Sequence, residues 1–436
     1  MTALRHIHFH MALLTPNNPR VIEPRLAPQF QAMLSTQSLP GEEPRTNERA
    51  EALLADAVQR NASDIHIEPG AEETRIRLRM DGLVHDVAAV SHASGAQLVA
   101  FFKTLSGIDA TALAHPEHGH ARLDVAGARL ELRTTVAPTV DGEMVGVRLL
   151  DTSRPVRALD ELGIAEADQN RLQAWPAMRT GLLVVCGPVG AGKTTTLYSL
   201  LHQLQSLPAS IVTVEDPVER RLDGITQIEV NLRRGLDFPE AIRAMLRLDP
   251  DFLLVGEIRD PASAQVAVTA AATGLAVLST LHARDAVGAV AALRNQGMKN
   301  WEIGDALEMC IAQRLVRRLC LQCRTSAAPD DEEGAWFQAA GRVPPSLLWH
   351  PVGCDACVGT GFDGRIGLFE LWHLDEISRQ LIVDGADGAA LEKQACHQGM
   401  VALADDAMAK VTAGVISLSE VRALGGINHP AADHKE

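Results

Sequence analysis

Residues 182–194 read LLVVCGPVGAGKT, and no other stretch constrains the fold of this chain as much. The apolar, β-branched run 182–186 has the pattern of a parallel strand buried on both faces. Residues 187–194 then fit G-x-x-x-x-G-K-[ST]. Gly187, Gly190 and Gly192 lack Cβ, so the loop Gly187, Pro188, Val189, Gly190, Ala191, Gly192 can turn its backbone N–H groups onto a phosphate. A helix starting near Lys193 offers its positive end to the same anion. Lys193 is expected to reach the β/γ-phosphates of a nucleotide and the Thr194 hydroxyl to bind Mg²⁺, with Thr195 completing the ATP-binding set. A glycine-rich turn with a chance lysine is the alternative; a strand before and a helix after argue against it.

The chain has 436 residues, enough for two or three domains with their own cores. No apolar run is long enough to span a bilayer. The first residues, MTALRHIHFHMALLTP, lack an apolar h-region and a small-residue cleavage site, so no signal peptide is expected. A formal net charge of −15 argues against bulk nucleic-acid binding. Together these features point to a cytoplasmic protein. Cys186, Cys310 and Cys396 stand alone and are expected to be buried or inert, whereas the other four cysteines form two C-x-x-C pairs.

Residues 1–46 are punctuated by prolines and read as a flexible segment and linker. Helical spacing starts at Asn47, a candidate N-cap. SDIHIEP alternates like a half-buried strand, with Ile65 and Ile67 on one face and Asp64, His66 and Glu68 on the other. His66 reads as a hydrogen-bonded strand histidine. Asp81-Gly82 and Ala126-Gly127 read as hairpin turns between alternating runs, and EMVGVRLL adds another strand. Residues 47–150 are therefore expected to form a small α+β domain with an antiparallel sheet, followed by a connector at 151–163. Residues 164–300 alternate apolar strands (182–186, 211–215, 252–256, 275–281) with helical segments, the signature of a doubly wound α/β sheet. Residues 301–436 read as a helix-rich region interrupted by the cysteine pairs.

A phosphoryl-transfer site also needs metal ligands, a group that orients water, and cations for developing charge. Glu215 ends the strand IVTVE, and Glu257 follows FLLVG, so both carboxylates lie where α/β sheets bind ligands. One can hold the Mg²⁺ shell while the other polarises water; spacing alone does not rank them. His282, at the exit of LAVLSTLH, can sense a γ-phosphate or be a satisfied buried histidine. Arg243 and Arg247, at i and i+4, share a helix face, either as a site or as a solvated stripe. Arg133 and Arg148 occupy strand positions of the first domain. Cys320-x-x-Cys323 and Cys354-x-x-Cys357 can supply four thiolates to Zn²⁺, provided that residues 324–353 loop out; a redox pair or four unligated thiols are the alternatives.

In order, ASDIHIEP, RLRMDG, GPVGAGKTTTLYSLL, VEDPVE, AIRAMLRLDPD, VGEIRD, ATGLAVLSTLHARDAVGAV, AQRLVRRLC and GCDACVGTGFDGRIGLFEL resemble the ATPase family of type II secretion and type IV pilus assembly. The resemblance is strong over about 62–372 and weaker to the C-terminal helices. It implies a RecA-like P-loop ATPase domain joined to a PAS-like N-terminal domain, with a zinc-bearing motif at 318–372 of the assembly branch. It implies a hexameric ring, peripheral at the inner membrane, working with a platform protein and a docking subunit, and no specific nucleic acid. It places water activation on Glu215, Mg²⁺ on Glu257 with Thr194, the histidine-box role on His282, and nucleotide- or interface-facing arginines on Arg133, Arg148, Arg243 and Arg247.

There are departures. Glu117-His118-Gly119-His120 stands where the family usually has Q-D-G-R, so an arginine is lost. Leu248 replaces a common glutamine, Leu275 a common histidine, and Ala283-Arg284 a common threonine-asparagine. The large N-terminal docking domain of many assembly members is expected to be absent or reduced. These departures keep a low-turnover, nucleotide-gated adaptor in view as an alternative. A DNA-uptake or conjugation-type motor is a further one.

Overall fold

The computed structural model describes residues 20–22, 46–111 and 115–424. The expected linker at 1–46 lies outside the described residues, apart from a three-residue strand and Thr46. The chain divides into two compact units, Met1–Pro155 and Val156–Glu436.

The first unit is a seven-stranded sheet. Its strands are β1 (Arg20–Ile22), β2 (Asp64–Pro69), β3 (Thr74–Met80), β4 (Leu83–Val90), β5 (Glu117–Val125), β6 (Ala128–Thr139) and β7 (Gly142–Asp151). Their order is β1-β5-β6-β7-β2-β3-β4, antiparallel except for the β1–β5 pair. Both expected tight turns are present. Asp81 and Gly82, and again Ala126 and Gly127, take positive φ, the backbone that a two-residue hairpin with right-handed twist demands. Alternation sends Ile65, Ile67, Ile76, Leu78, Leu132 and Val147 to one face, where helices Thr46–Gln59 and His92–Leu105 cover them with Leu53, Leu54, Leu98 and Phe102. Asn47 lies inside the first helical turn, which starts one residue earlier than its expected cap position.

The second unit is built on a sheet of order β10-β9-β11-β12-β8-β13-β16. Its strands are β8 (Gly181–Cys186), β9 (Ile211–Glu215), β10 (Thr226–Glu229), β11 (Phe252–Val255), β12 (Ala276–Leu281), β13 (Leu307–Leu319) and β16 (Phe362–His373). The first six run parallel and β16 is antiparallel to β13. Residues of β8, β9, β11 and β12 are all buried, because helices cover both faces. The region after 300, expected to be helix-rich, carries two of the longest strands, β13 and β16, which extend the central sheet. β13 is buried on both faces over its first half, so its sequence shows no alternation that would mark it as a strand. Among the described residues, four short helices follow β16, from Glu376–Val383 to Leu418–Ala423.

Candidate active site

β8 delivers Gly187 at its C-terminal end, and the loop closes into helix Lys193–Leu204 with Gly192 as N-cap. Gly190 and Gly192 have φ of 78° and 87°, a region costly for any residue with a Cβ. Close approach adds a second constraint. A Cβ on Gly192 would lie 2.9 Å from the Gln313 side-chain nitrogen, and one on Gly187 would lie 2.6 Å from the Gln313 carbonyl oxygen. Strand β13 therefore presses Gln313 against the loop, and Gln313 accepts a 2.7 Å hydrogen bond from the Thr196 hydroxyl. Lys193 donates to the carbonyl oxygens of Gly187 (2.9 Å) and Pro188 (3.1 Å). Burial lowers the Lys193 pKa, and the carboxylate of Glu257 offsets part of that. Ala191 is buried and Thr194 half-buried, while Pro188, Val189 and Thr195 are exposed.

Glu215, at the end of β9, is 4% exposed. Three donors hold its carboxylate: Tyr198 Oη at 2.5 Å, Thr213 Oγ1 at 2.6 Å and Gln227 Nε2 at 3.2 Å. Burial, then Glu215 itself, pushes the Tyr198 hydroxyl far above its usual pKa, so it remains a donor. A carboxylate has roughly four acceptor positions, so Glu215 keeps room for one further donor. Glu257 is engaged differently. Arg259 Nε donates to one oxygen at 2.6 Å and His282 Nε2 lies 2.7 Å from the other. His282 is half exposed, so it is not the satisfied buried histidine. The structure thus brings the P-loop, Glu215, Glu257 and His282 to the C-terminal edge of the parallel strands, the edge at which such sheets bind ligands.

Arg243 and Arg247 are exposed and form no ion pair among the described residues. The α-helix Phe238–Met245 ends before Arg247, which sits in the turn Leu246–Leu248, so the expected shared helix face is not kept. Pro250 explains the stop, since the residue before a proline is steered away from helix. In the first unit, Arg133 and Arg148 are direct partners on β6 and β7, near Glu131 (3.6 Å) and Asp64 (3.1 Å) respectively. His120 is paired with Arg133 on β5. The expectation of a hydrogen-bonded His66 is corrected: its ring makes no hydrogen bond among the described residues, Nε2 is buried without a partner, and burial lowers the pKa of the ring.

The four cysteines converge, with all four Sγ atoms within 4.8 Å of one another. Cys320–Cys354 are 3.9 Å apart, and Cys323–Cys357 and Cys354–Cys357 3.8 Å. A tetrahedron with Zn–S bonds of ~2.3 Å has S–S edges of ~3.8 Å, so the donor set fits zinc. Burial pushes the Cys357 thiol up, but backbone N–H groups of Cys354 and Gly361 more than offset it and hold the thiol at about 6. Residues 324–353 do loop out, as β14 (Thr325–Ala327) paired with β15 (Leu348–His350) around helix Asp331–Ala339.

Sequence reasoning missed Gln313, Tyr198, Thr213, Gln227 and Arg259. The one available signal was the pair Gln313-Arg314 inside an otherwise buried apolar strand, since polar groups there need partners.

A family model described as type II/IV secretion system protein matches residues 42–423. The chain belongs to that family. It is 40% identical over 370 residues to the type II secretion system protein HxcR of Pseudomonas aeruginosa, covering 85% of this chain and 75% of that one. It is 38% identical to the type II secretion system ATPase E of Vibrio cholerae, covering 85% and 73%. With the type IV pilus assembly ATPase PilB of Myxococcus xanthus the identity is 36%, covering 85% and 66%. Among solved structures, the ATPase DotB of Legionella pneumophila matches with a TM-score of 0.65 at 20% identity, covering 89% and 97%. The pilus retraction motor PilT matches at 0.59 and 21%, covering 86% and 96%. These two likenesses establish the fold. No helix of the described residues is long and apolar enough to cross a membrane.

Proposed function

We propose that this chain is a Mg²⁺-dependent ATPase and the homo-hexameric motor of a pilus, pseudopilus or type II secretion machine. It would work at the cytoplasmic face of the inner membrane with a platform protein and a docking subunit. The single observation that carries the reading is the meeting of the P-loop with Glu257 and His282 at one sheet edge, in a chain of this family. Bound Mg²⁺ would neutralise phosphate charge and would be held by Thr194 and Glu257. Lys193 would trade its two loop carbonyls for phosphate oxygens. Glu215, clamped by three donors, has the fixed orientation needed to align a water, and His282 reads the state of Glu257. Arg243 and Arg247, with Arg133 and Arg148 of the first unit, are the proposed cations for developing charge. Zn²⁺ is structural in this reading.

The test is the steady-state ATPase rate per subunit across a wide protein concentration range, with Mg²⁺. A rate that rises with concentration supports a site completed between subunits. Lys193→Ala and Glu257→Gln should each lower kcat by about 10²-fold or more. Full activity in Glu257→Gln would refute the assigned site.

A further inference from the structure

The backbone turns after His282, and two contacts from strands further along the sheet hold that turn. Arg314 Nη2, from β13, donates to the Arg284 carbonyl oxygen at 2.6 Å. The Ala286 N–H donates to Glu370 Oε1, from β16, at 2.7 Å. The second oxygen of Glu370 accepts the Leu403 N–H at 3.1 Å. Glu370 is 5% exposed. Burial raises its pKa, the two backbone N–H groups offset part of that, and the acidic neighbours Asp285 and Glu392 add to the rise. A buried carboxylate in such a setting is tolerated only if its acceptors are filled. One of them serves a helix start: Ala402 before helix Leu403–Thr412 makes no side-chain capping bond, so Glu370 takes up the Leu403 N–H. Helix Gly288–Asn295 is capped by Asp285, which accepts the Gly288 N–H at 2.6 Å, so the bond from Ala286 holds the turn before that helix. Arg314 also donates to the Gln313 carbonyl at 3.0 Å, the same oxygen that crowds Gly187 of the P-loop.

We propose that Glu370 is a positioning residue for ATP hydrolysis: it fixes the turn 282–286 so that His282 keeps its contact with Glu257, and it ties that turn to helix Leu403–Thr412. The inference rests on the reading of Glu257 and His282 as site residues. A movement of the C-terminal helices would then be felt at His282 through one side chain, and the reverse.

The rival explanation is that Glu370 only caps a helix. Glu370→Gln preserves size but offers one acceptor in place of two. In the full-length protein, kcat should fall about tenfold while KM for ATP stays within about twofold, the signature of lost alignment and not of lost binding. In a His282→Ala background, Glu370→Gln should have no further effect on kcat. Adding Ala402→Asp to Glu370→Gln gives that helix its own cap. It should restore thermal stability without restoring kcat. Additive losses in the His282→Ala background, or recovery of kcat by Ala402→Asp, would overturn the proposal. If Glu370→Gln does not fold even with Ala402→Asp, Arg314→Gln releases the turn from the β13 side. It must then show the same non-additivity with His282→Ala, and additivity would count against the proposal. Glu257→Gln and His282→Ala alone separate the two levels. If neither lowers the rate, the site reading has failed; if both do and Glu370→Gln does not, this proposal fails alone.

Discussion

Tyr198 is the only tyrosine in the chain, and its hydroxyl donates to Glu215 inside the second unit. Removing that hydroxyl leaves a buried carboxylate one donor short, which typically costs about 1–3 kcal/mol. Tyr198→Phe should therefore lower the unfolding free energy of the second unit by that amount in a denaturant titration, and should lower kcat more than it raises KM. Unchanged stability would show that Gln227 and Thr213 hold Glu215 unaided. Glu215 and Glu257 were legible from sequence because a strand-end carboxylate is a local signal. Tyr198 and Gln313 were not. Thr196 and Gln313 are 117 positions apart, and spacing arguments reach only a few residues along a helix or strand. For the same reason the three P-loop glycines could be assigned to phosphate binding, while the pressure of Gln313 on two of them appears only in the fold.

At the scale of elements, the parallel strands β8, β9, β11 and β12 and the two hairpin turns could be read in advance, because burial on both faces and positive φ leave marks in residue type; the short, partly exposed parallel strand β10 leaves no such mark. The strand β13 could not, since a doubly buried strand and a buried helix share one apolar pattern. The helix His92–Leu105 shows a related conflict between local preference and packing. Gly95 lies in its first turns, and a Cβ there would lie 2.3 Å from the Thr74 hydroxyl oxygen on β3. Alanine would gain up to about 1 kcal/mol in helix propensity. Overpacking against a strand costs about 1–3 kcal/mol, so Gly95→Ala should destabilise the first unit. The control is Gly334 in helix Asp331–Ala339, where a Cβ would meet nothing within 4 Å. Gly334→Ala should stabilise by about 0.5–1 kcal/mol. Chemical denaturation of both variants decides the matter: if both move in the same direction, packing at Gly95 is not what opposes alanine.

At the scale of the whole second unit, one antiparallel pair carries several functions at once. β13 supports the P-loop through Gln313, β16 carries Glu370, and the cysteines sit where this pair opens. Cys320 directly follows β13, and Cys357 lies shortly before β16. Zinc would close those ends covalently in the way a disulfide closes a loop, and a structural zinc site contributes folding free energy directly. The expected result is about one Zn²⁺ per chain by elemental analysis. Cys354→Ser should abolish that stoichiometry and lower the thermal midpoint. It should also lower kcat, although Cys320 lies beyond the end of β13 and Gln313 in its middle, because the strand that underlies Gln313 would lose its anchor. Chelation of the wild-type protein should reproduce the loss of kcat, and readdition of Zn²⁺ should reverse it in wild type but not in Cys354→Ser. A purified, metal-free chain with undiminished kcat and midpoint would mean that the β13–β16 pair is held by its own hydrogen bonds, and that the four thiols contribute nothing to the motor.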